Sequence, residues 1–295
     1  MKEKAVLFGK TDSLVGITTA SADSIDSNKP AVIILNTGIV HRVGPNRQSV
    51  TIARNLGRNG HTVFRFDSSG IGDSKARRDT LPFRESAVEE TREAMDYLQT
   101  TRGIEKFILM GICSGGFISF RTACRDTRVI GAMLINTRGH LHGDNDELGA
   151  SLRNRTLARH YVRIAIFSSF RKKNWNKIFT GKISVKNLLK MSLLPLKRLF
   201  IRKKSSSKER RTETGADLRK LNFRGVRILH IYSEGDEGID YMYAIFGKRL
   251  ESLARNGILE LEIVKETNHT FTLLWSQGKL AHIINEWTDS LSSNL

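Results

Sequence analysis

The sequence has few cysteines and no long apolar run. Cys113 and Cys124 are the only cysteines among 295 residues, and a helix between them would hold them too far apart to bond. A disulfide framework is therefore excluded. No apolar run reaches the roughly 18 residues that a membrane-spanning helix needs, and the first residues lack the apolar core of a secretory signal. We therefore expect a cytoplasmic protein.

Acidic residues are scarce in one segment of the chain. The formal net charge is +18, but residues 150–225 hold 22 Lys and Arg against 3 Asp and Glu, a net charge of +19. The rest of the chain is therefore almost neutral. Because 39% of the residues are hydrophobic, disorder throughout is excluded. The composition indicates a neutral globular domain that carries a strongly basic insert.

Outside the insert, short apolar runs alternate with helical patterns. Strands are predicted at 31–35, 61–66, 106–110, 129–135, 227–232 and 259–264, and helices at 49–58, 85–99, 114–125, 241–255 and 280–291. This alternation predicts an α/β fold with a mostly parallel central sheet and helices on both faces. Two earlier strands, at 5–8 and 14–18, are joined by a short turn and predict an antiparallel hairpin at the sheet edge.

The basic insert divides the predicted fold into three parts. We expect residues 1–140 and 225–295 to form the core, and residues 141–224 to form a basic helical lid. An insert at this position would lie over the carboxyl ends of the strands, where open α/β sheets bind their ligands.

Residues 107–117, Phe-Ile-Leu-Met-Gly-Ile-Cys-Ser-Gly-Gly-Phe, combine a strand, a glycine-rich turn and the start of a helix. Gly-x-nucleophile-x-Gly is typical of a nucleophile elbow, whose tight turn requires small residues on both sides. Cys113 has Gly111 and Gly115 at those positions, whereas Ser114 would have an isoleucine at the first. We therefore predict Cys113 as the nucleophile, at a helix N-terminus that favours its thiolate. The alternative is a cysteine that only packs at this turn.

A cysteine nucleophile needs a base and a residue that orients the base. On this kind of fold they follow in the order nucleophile, acid, histidine. Asp236 and His269 each follow the end of a predicted strand in that order. Asp236 is preferred to Glu234 and Glu237 because it lies a short turn past its strand, beside Gly235, and Glu234 is the alternative. His41 is the competitor of His269, and Cys124 is expected only to pack.

An oxyanion hole would need two backbone N–H groups. We predict that Ser114 supplies one and Ile39 the other, with Gly38 allowing the backbone to turn so that the Ile39 N–H faces the reacting oxygen. His41 and Arg42 follow in the same loop. They could bind a carboxylate or phosphate of the substrate, or they could fix the loop by hydrogen bonds, and the sequence leaves both open.

These motifs together resemble the α/β-hydrolase superfamily over nearly the whole chain outside the lid. His-Arg-Val-Gly-Pro-Asn-Arg at 41–47, Arg-Phe-Asp-Ser-Ser-Gly-Ile-Gly-Asp-Ser at 65–74 and Asn-His-Thr-Phe at 268–271 are similar to the serine-aminopeptidase-like hydrolases. Within these, they resemble hydrolases associated with bacterial exosortase and exopolysaccharide systems. Cysteine in place of serine is similar to dienelactone hydrolases and polyhydroxyalkanoate synthases. A thioester intermediate can pass its acyl group to an alcohol or amine as well as to water.

Two functions are consistent with these observations. The first is an enzyme that acts on an ester or thioester through Cys113, His269 and Asp236, either as an acyl hydrolase or thioesterase or as an acyltransferase, with no metal or organic cofactor. The second is a catalytically silent scaffold whose basic lid binds anionic lipid or an acidic carrier protein.

The basic lid predicts an anionic partner. An acidic acyl carrier protein would dock on its Lys and Arg. An anionic membrane surface also fits, because leucines interleave with lysines over residues 186–200, and it would hold the protein at the inner face of the membrane. Nucleic acid is disfavoured, since the sequence contains no recognised binding motif. The oligomeric state is left open.

Overall fold

The computed structural model describes residues 1–21, 29–137, 206–247 and 249–293. Within these residues, eight strands form one sheet in the order β1-β2-β4-β3-β5-β6-β7-β8. The strands are β1 (Lys2–Phe8), β2 (Leu14–Ala20), β3 (Ala31–Ile34), β4 (Val63–Phe66), β5 (Phe107–Ile112), β6 (Val129–Ile135), β7 (Arg227–Ser233) and β8 (Glu260–Val264). The α/β prediction is confirmed.

The sheet is parallel from β4 to β8 and antiparallel at one edge. Strand β1 pairs with β2, and β2 with β4, in antiparallel register, so the predicted edge hairpin is present. The other neighbours pair in parallel. Because all parallel strands end at the same edge, the loops after β3, β5, β6, β7 and β8 begin on one side of the sheet.

The helices bury both faces of the sheet. They are α1 (Gln48–Arg58), α2 (Phe83–Arg102), α3 (Ser114–Arg125), α4 (Ser206–Phe223), α5 (Glu237–Phe246), α6 (Arg249–Arg255) and α7 (Leu274–Ser292). Along β5, Ile108 and Met110 join an apolar cluster with Ile52 of α1 and Ile284 of α7. Leu109 points to the opposite face and is equally buried. Burial on both sides explains why the parallel strands are continuous apolar runs.

Two helices differ most from their predicted bounds. The helix expected at 241–255 is divided into α5 and α6, because Gly247 adopts a positive φ of 55° and ends α5. Glycine tolerates this conformation, which stops helical propagation. The last helix begins at Leu274 rather than near residue 280, since its first turn lacks the apolar periodicity on which the prediction relied.

Residues Met1–His140 and Thr214–Leu295 form one compact unit, and Leu141–Glu213 form a second. Of the second, the structure describes only the start of α4. Most of the predicted lid, 141–224, therefore lies outside the described residues, and its bounds stay a prediction. In the described part of the chain, no helix is long and apolar enough to cross a membrane.

The strand β1 offers a test of the sheet core. Phe8 is 2% exposed and packs edge-on against Phe64, with ring centroids 5.1 Å apart, while its neighbour Leu7 is 61% exposed. We expect Phe8→Ala to lower the free energy of unfolding by about 3–5 kcal/mol and Leu7→Ala by less than about 0.5 kcal/mol. Chemical denaturation of both variants measures this, and equal losses would contradict the assigned register.

Candidate active site

Cys113 occupies the turn between β5 and α3. Its backbone has φ 57° and ψ −113°, a conformation that costs a residue other than glycine about 1–3 kcal/mol. The turn is fixed on both sides: the Cys113 N–H donates to the Ile135 carbonyl of β6 at 2.8 Å, and its own carbonyl accepts from Phe117 N–H in the first turn of α3. The backbone thus holds the thiol at the carboxyl edge of the sheet, at the N-terminus of a helix.

Glycines on both sides of Cys113 allow this turn. A Cβ at Gly111 would lie 2.4 Å from the carbonyl carbon of Gly115, and a Cβ at Gly115 would lie 2.7 Å from the Asn36 carbonyl oxygen. Real Cβ atoms do not approach backbone atoms this closely. The steric requirement that selected Cys113 over Ser114 in the sequence therefore has a direct counterpart in the structure.

His269 and Asp236 meet at the same edge of the sheet. The imidazole Nδ1 is 2.6 Å from Asp236 Oδ2. Asp236 caps α5, where its Oδ1 accepts from the Gly238 N–H at 2.7 Å, and its side chain is 5% exposed. Glu234, the alternative acid, is exposed and accepts instead from the Glu266 N–H. The structure thus pairs His269 with Asp236.

The imidazole of His269 also contacts the thiol group. A hydrogen bond with Asp236 and a second one with Cys113 raise the pKa of His269 to about 10, although partial burial of the ring acts in the opposite direction. Because Nδ1 is hydrogen-bonded to Asp236, Nε2 is the ring nitrogen that can contact the sulfur of Cys113. The structure therefore brings together three residues that lie far apart in the sequence.

The loop that follows β3 contacts the start of α3. Thr37 to Val40 form a tight turn, with Gly38 at φ 56°, and the Gly38 N–H donates to Ser114 Oγ at 2.7 Å. The first N–H groups of a helix have no partner within it. Ile39 and Ser114, the two residues predicted to supply the oxyanion hole, thus lie on two segments in direct contact, and their role as N–H donors stays a prediction.

Arg42 binds two carboxylates of the loop that follows β4, at the carboxyl edge of the sheet. Its guanidinium contacts Asp67 and, at 2.5 Å, Asp73, while its backbone N–H donates to Asp67. The Asp67 side chain is fully buried. These contacts fix the loop, as one of the two interpretations of Arg42 expects. His41 is exposed, and binding of a substrate anion by either residue stays a prediction.

Cys124 differs from Cys113 in its surroundings. It lies on α3, and burial raises the pKa of its thiol to about 12. A thiol with this pKa remains protonated at neutral pH, which agrees with the expected packing role. In the described residues, no group of three or more His, Cys, Asp or Glu side chains could hold a metal ion.

The loop that carries His269, residues 265–273 between β8 and α7, is called the histidine loop. Sequence reasoning missed two contacts of this loop. The Asn136 side chain donates to the His269 carbonyl at 2.7 Å, and the Gln48 side chain donates to the carbonyls of Thr270 and Phe271. The sequence held a weak signal for Asn136, because asparagine tolerates a positive φ and is therefore often found in the turn that follows a strand. Gln48 carried none.

Comparisons with known proteins agree with this fold. A family model described as alpha/beta hydrolase fold matches residues 30–162, slightly less than half of the chain. A search of the curated proteins found no match. Three solved structures illustrate the similarity. A proline iminopeptidase of Mycobacterium smegmatis is 17% identical with a TM-score of 0.56, and the match covers 99% of both chains. An alpha/beta hydrolase from Penicillium is 16% identical with a TM-score of 0.56, over 99% of this chain and 98% of that chain, and a malate-bound thermophilic esterase of Thermogutta terrifontis is 13% identical with a TM-score of 0.54, over 99% of this chain and 100% of that chain.

Gly111 tests the steric requirement of the elbow. Because a methyl group there would overlap the backbone of Gly115, we expect Gly111→Ala to cost about 3 kcal/mol or more in the free energy of unfolding. Gly278 lies inside α7 with open space around it, so Gly278→Ala should be neutral or stabilise by about 1 kcal/mol. Chemical denaturation of both variants measures these free energies of unfolding. A Gly111→Ala variant as stable as the wild type would show that the turn is not tight.

His269 should make stability depend on pH. Its pKa is raised from 6.5 to about 10, so the stability gained from the charged imidazole is complete below about pH 6.5 and is lost as pH rises towards 10. The difference in free energy of unfolding between the wild type and His269→Gln should therefore shrink over this interval. In an Asp236→Asn background the same difference should change less with pH. A difference that grows with pH would contradict the assigned contacts.

Proposed function

We propose that this chain, which has the α/β-hydrolase fold, is an enzyme that acts on an ester or thioester through Cys113, His269 and Asp236. The observation that carries the proposal is the hydrogen-bonded line from Asp236 through the imidazole of His269 to Cys113. A nucleophile, a base in contact with it and an acid that orients the base are the parts that covalent acyl chemistry needs.

The first half of the reaction uses the charged imidazole. With a pKa of about 10, His269 is protonated at neutral pH and favours the thiolate of Cys113. The thiolate attacks the carbonyl carbon, and the negative charge moves to the carbonyl oxygen, which the N–H groups of Ile39 and Ser114 stabilise. As this intermediate collapses, the bond to the leaving group breaks, and His269 donates its proton to the departing alcohol or thiol.

The second half reverses the direction of proton transfer. The acylated sulfur carries no charge, so one of the two interactions that held the proton on His269 is gone, and the neutral imidazole can act as a base. It removes a proton from water or from an alcohol or amine acceptor, which attacks the thioester and releases Cys113. Asp236 keeps the ring oriented in both halves. Hydrolysis and acyl transfer differ only in the acceptor.

The named neighbours bear on the substrate only by analogy. The thermophilic esterase is consistent with an ester, and the proline iminopeptidase indicates that the same fold also accommodates peptide substrates. We favour an oxygen or sulfur ester because alcohols and thiols are better leaving groups than amines, so that collapse of the intermediate needs less assistance from His269. Acyl hydrolase, thioesterase and acyltransferase all remain within the proposal.

An anionic partner is proposed for the basic segment. Most of residues 150–225 lie outside the described part of the chain, but the described end contributes exposed Arg219 and Lys220 on α4. An acidic acyl carrier protein would deliver a thioester to the site, whereas an anionic membrane surface would deliver a lipid ester. Both fit the charge of this segment.

Covalent trapping tests the proposed nucleophile. Incubation with p-nitrophenyl butyrate should release p-nitrophenolate and increase the intact mass by one butyryl group. We expect Cys113→Ala to abolish the adduct and to lower turnover by about 10³-fold or more, while Cys124→Ala should retain both. Addition of an alcohol or amine then separates acyl transfer from hydrolysis, because a transferase yields the new ester or amide. An adduct that persists in Cys113→Ala would refute the assignment.

Alkylation at neutral pH provides a readout that needs no substrate. Burial raises the pKa of Cys124 to about 12, which keeps its thiol protonated at neutral pH, so iodoacetamide should label Cys113 much faster. Peptide mass spectrometry after limited labelling measures the two rates. Equal rates would favour the catalytically silent scaffold.

A further inference from the structure

Three successive peptide carbonyls of the histidine loop accept hydrogen bonds from two buried carboxamides. Asn136 Nδ2 donates to the His269 carbonyl at 2.7 Å, and Gln48 Nε2 donates to the carbonyls of Phe271, at 2.8 Å, and Thr270. Gln48 is 2% exposed and Asn136 is fully buried. The backbone on which His269 stands is therefore fixed from inside the protein.

Packing covers the imidazole of His269 only in part. The His269 side chain is 38% exposed, so its position between sulfur and carboxylate depends on its backbone and on the contact with Asp236. Phe271, two residues later, has a positive φ of 47° and is completely buried. A loop with this strained residue needs interactions that hold it in one conformation.

The two carboxamides connect the histidine loop to the other parts of the site. Gln48 is the first residue of α1 and is separated from the loop that contains Ile39 by a single 3-10 turn, Pro45–Arg47. Asn136 follows β6, and its Oδ1 accepts from the Ser233 N–H at the end of β7 at 2.7 Å, three residues before Asp236. Displacement of either carboxamide would therefore move His269 relative to groups with which it must react.

We infer that Gln48 and Asn136 are positioning residues, which hold the His269 backbone so that the imidazole reaches Cys113 and Asp236 at once. The inference rests on the proposed function. Only the NH₂ end of a carboxamide can donate to a carbonyl, so a carboxylate at either position would repel the oxygens that the amide now binds. A shift of about 1 Å in a catalytic group can cost about 10²-fold in rate.

The principal test compares Gln48→Leu, Gln48→Glu and Asn136→Asp with the wild type by the rate at which iodoacetamide alkylates Cys113 between pH 5 and 9. In the wild type, contact with the charged imidazole should keep this rate high at pH 6. We expect Gln48→Leu and Asn136→Asp to lose about 10-fold to 100-fold at pH 6 and to regain rate only near pH 8.5, as an ordinary thiol does.

Gln48→Glu keeps the volume of the side chain and adds an internal control. Its protonated form still donates one hydrogen bond to the loop, whereas its ionised form donates none. Its alkylation rate relative to the wild type should therefore be closest to unity at pH 5, fall as the new carboxyl group ionises, and recover only near pH 8.5 as the thiol itself ionises. With p-nitrophenyl butyrate as substrate, we expect kcat of the Gln48 and Asn136 variants to fall by about 10-fold to 100-fold relative to the wild type. We expect KM to stay within about threefold of the wild-type value, since neither carboxamide is placed to bind substrate.

A matched control separates positioning from general loss of stability. Thr288 is fully buried on α7, where its hydroxyl donates to the Ile284 carbonyl, so Thr288→Val loses one buried hydrogen bond away from the histidine loop. It should lower the denaturation midpoint without moving the pH profile of alkylation. If Gln48→Leu fails to fold, the pH profiles of Cys113 alkylation in Gln48→Glu and Asn136→Asp provide the test.

The outcomes distinguish this inference from the proposed function. A wild-type Cys113 that is labelled no faster than Cys124 would overturn the proposed function. Fast labelling in the wild type together with unchanged pH profiles in the Gln48 and Asn136 variants would overturn the inference alone, and would show that the carboxamides only satisfy buried carbonyls.

Discussion

The backbone of Cys113 is the constraint on which the rest of the site depends. A positive φ at a residue with a side chain is unfavourable, and it persists here because β5, β6 and α3 fix the peptide on both sides. This turn holds Cys113 at the carboxyl edge of the sheet, where it is partly buried and packs against the apolar core cluster. Every other element of the proposed chemistry is placed relative to that sulfur, including the imidazole and the carboxylate that follow later strands.

Much of the fold could be predicted because its signals are local. Buried parallel strands are continuous apolar runs, and the short turn between the first two strands indicated a hairpin. The proposed nucleophile, Cys113, also carried a local signal, because glycine at 111 and at 115 prevents a collision with the backbone. Asp236 and His269 were found by their order and by their positions after strands. Their contact at 2.6 Å agrees with that expectation, although their catalytic roles stay a proposal.

The remaining features depend on contacts that leave no local pattern. Gln48 binds carbonyls 222 and 223 residues away, and any polar residue at the start of α1 would look the same in the sequence. Arg42 was open to two interpretations because its partners, Asp67 and Asp73, are recognised only when the loops are folded together. The break at Gly247 needed knowledge of its φ, since an isolated glycine in an apolar periodic stretch does not always end a helix.

The distance along the chain between sulfur and imidazole has a consequence for biosynthesis. Cys113 leaves the ribosome 156 residues before His269, and the carbonyls that Gln48 binds are translated later still. A nascent or prematurely terminated polypeptide would contain the cysteine without the base beside it, so its thiol would behave like any other in the cell. Reactivity would then emerge only after β8 has been translated, because His269 follows the last strand of the described sheet.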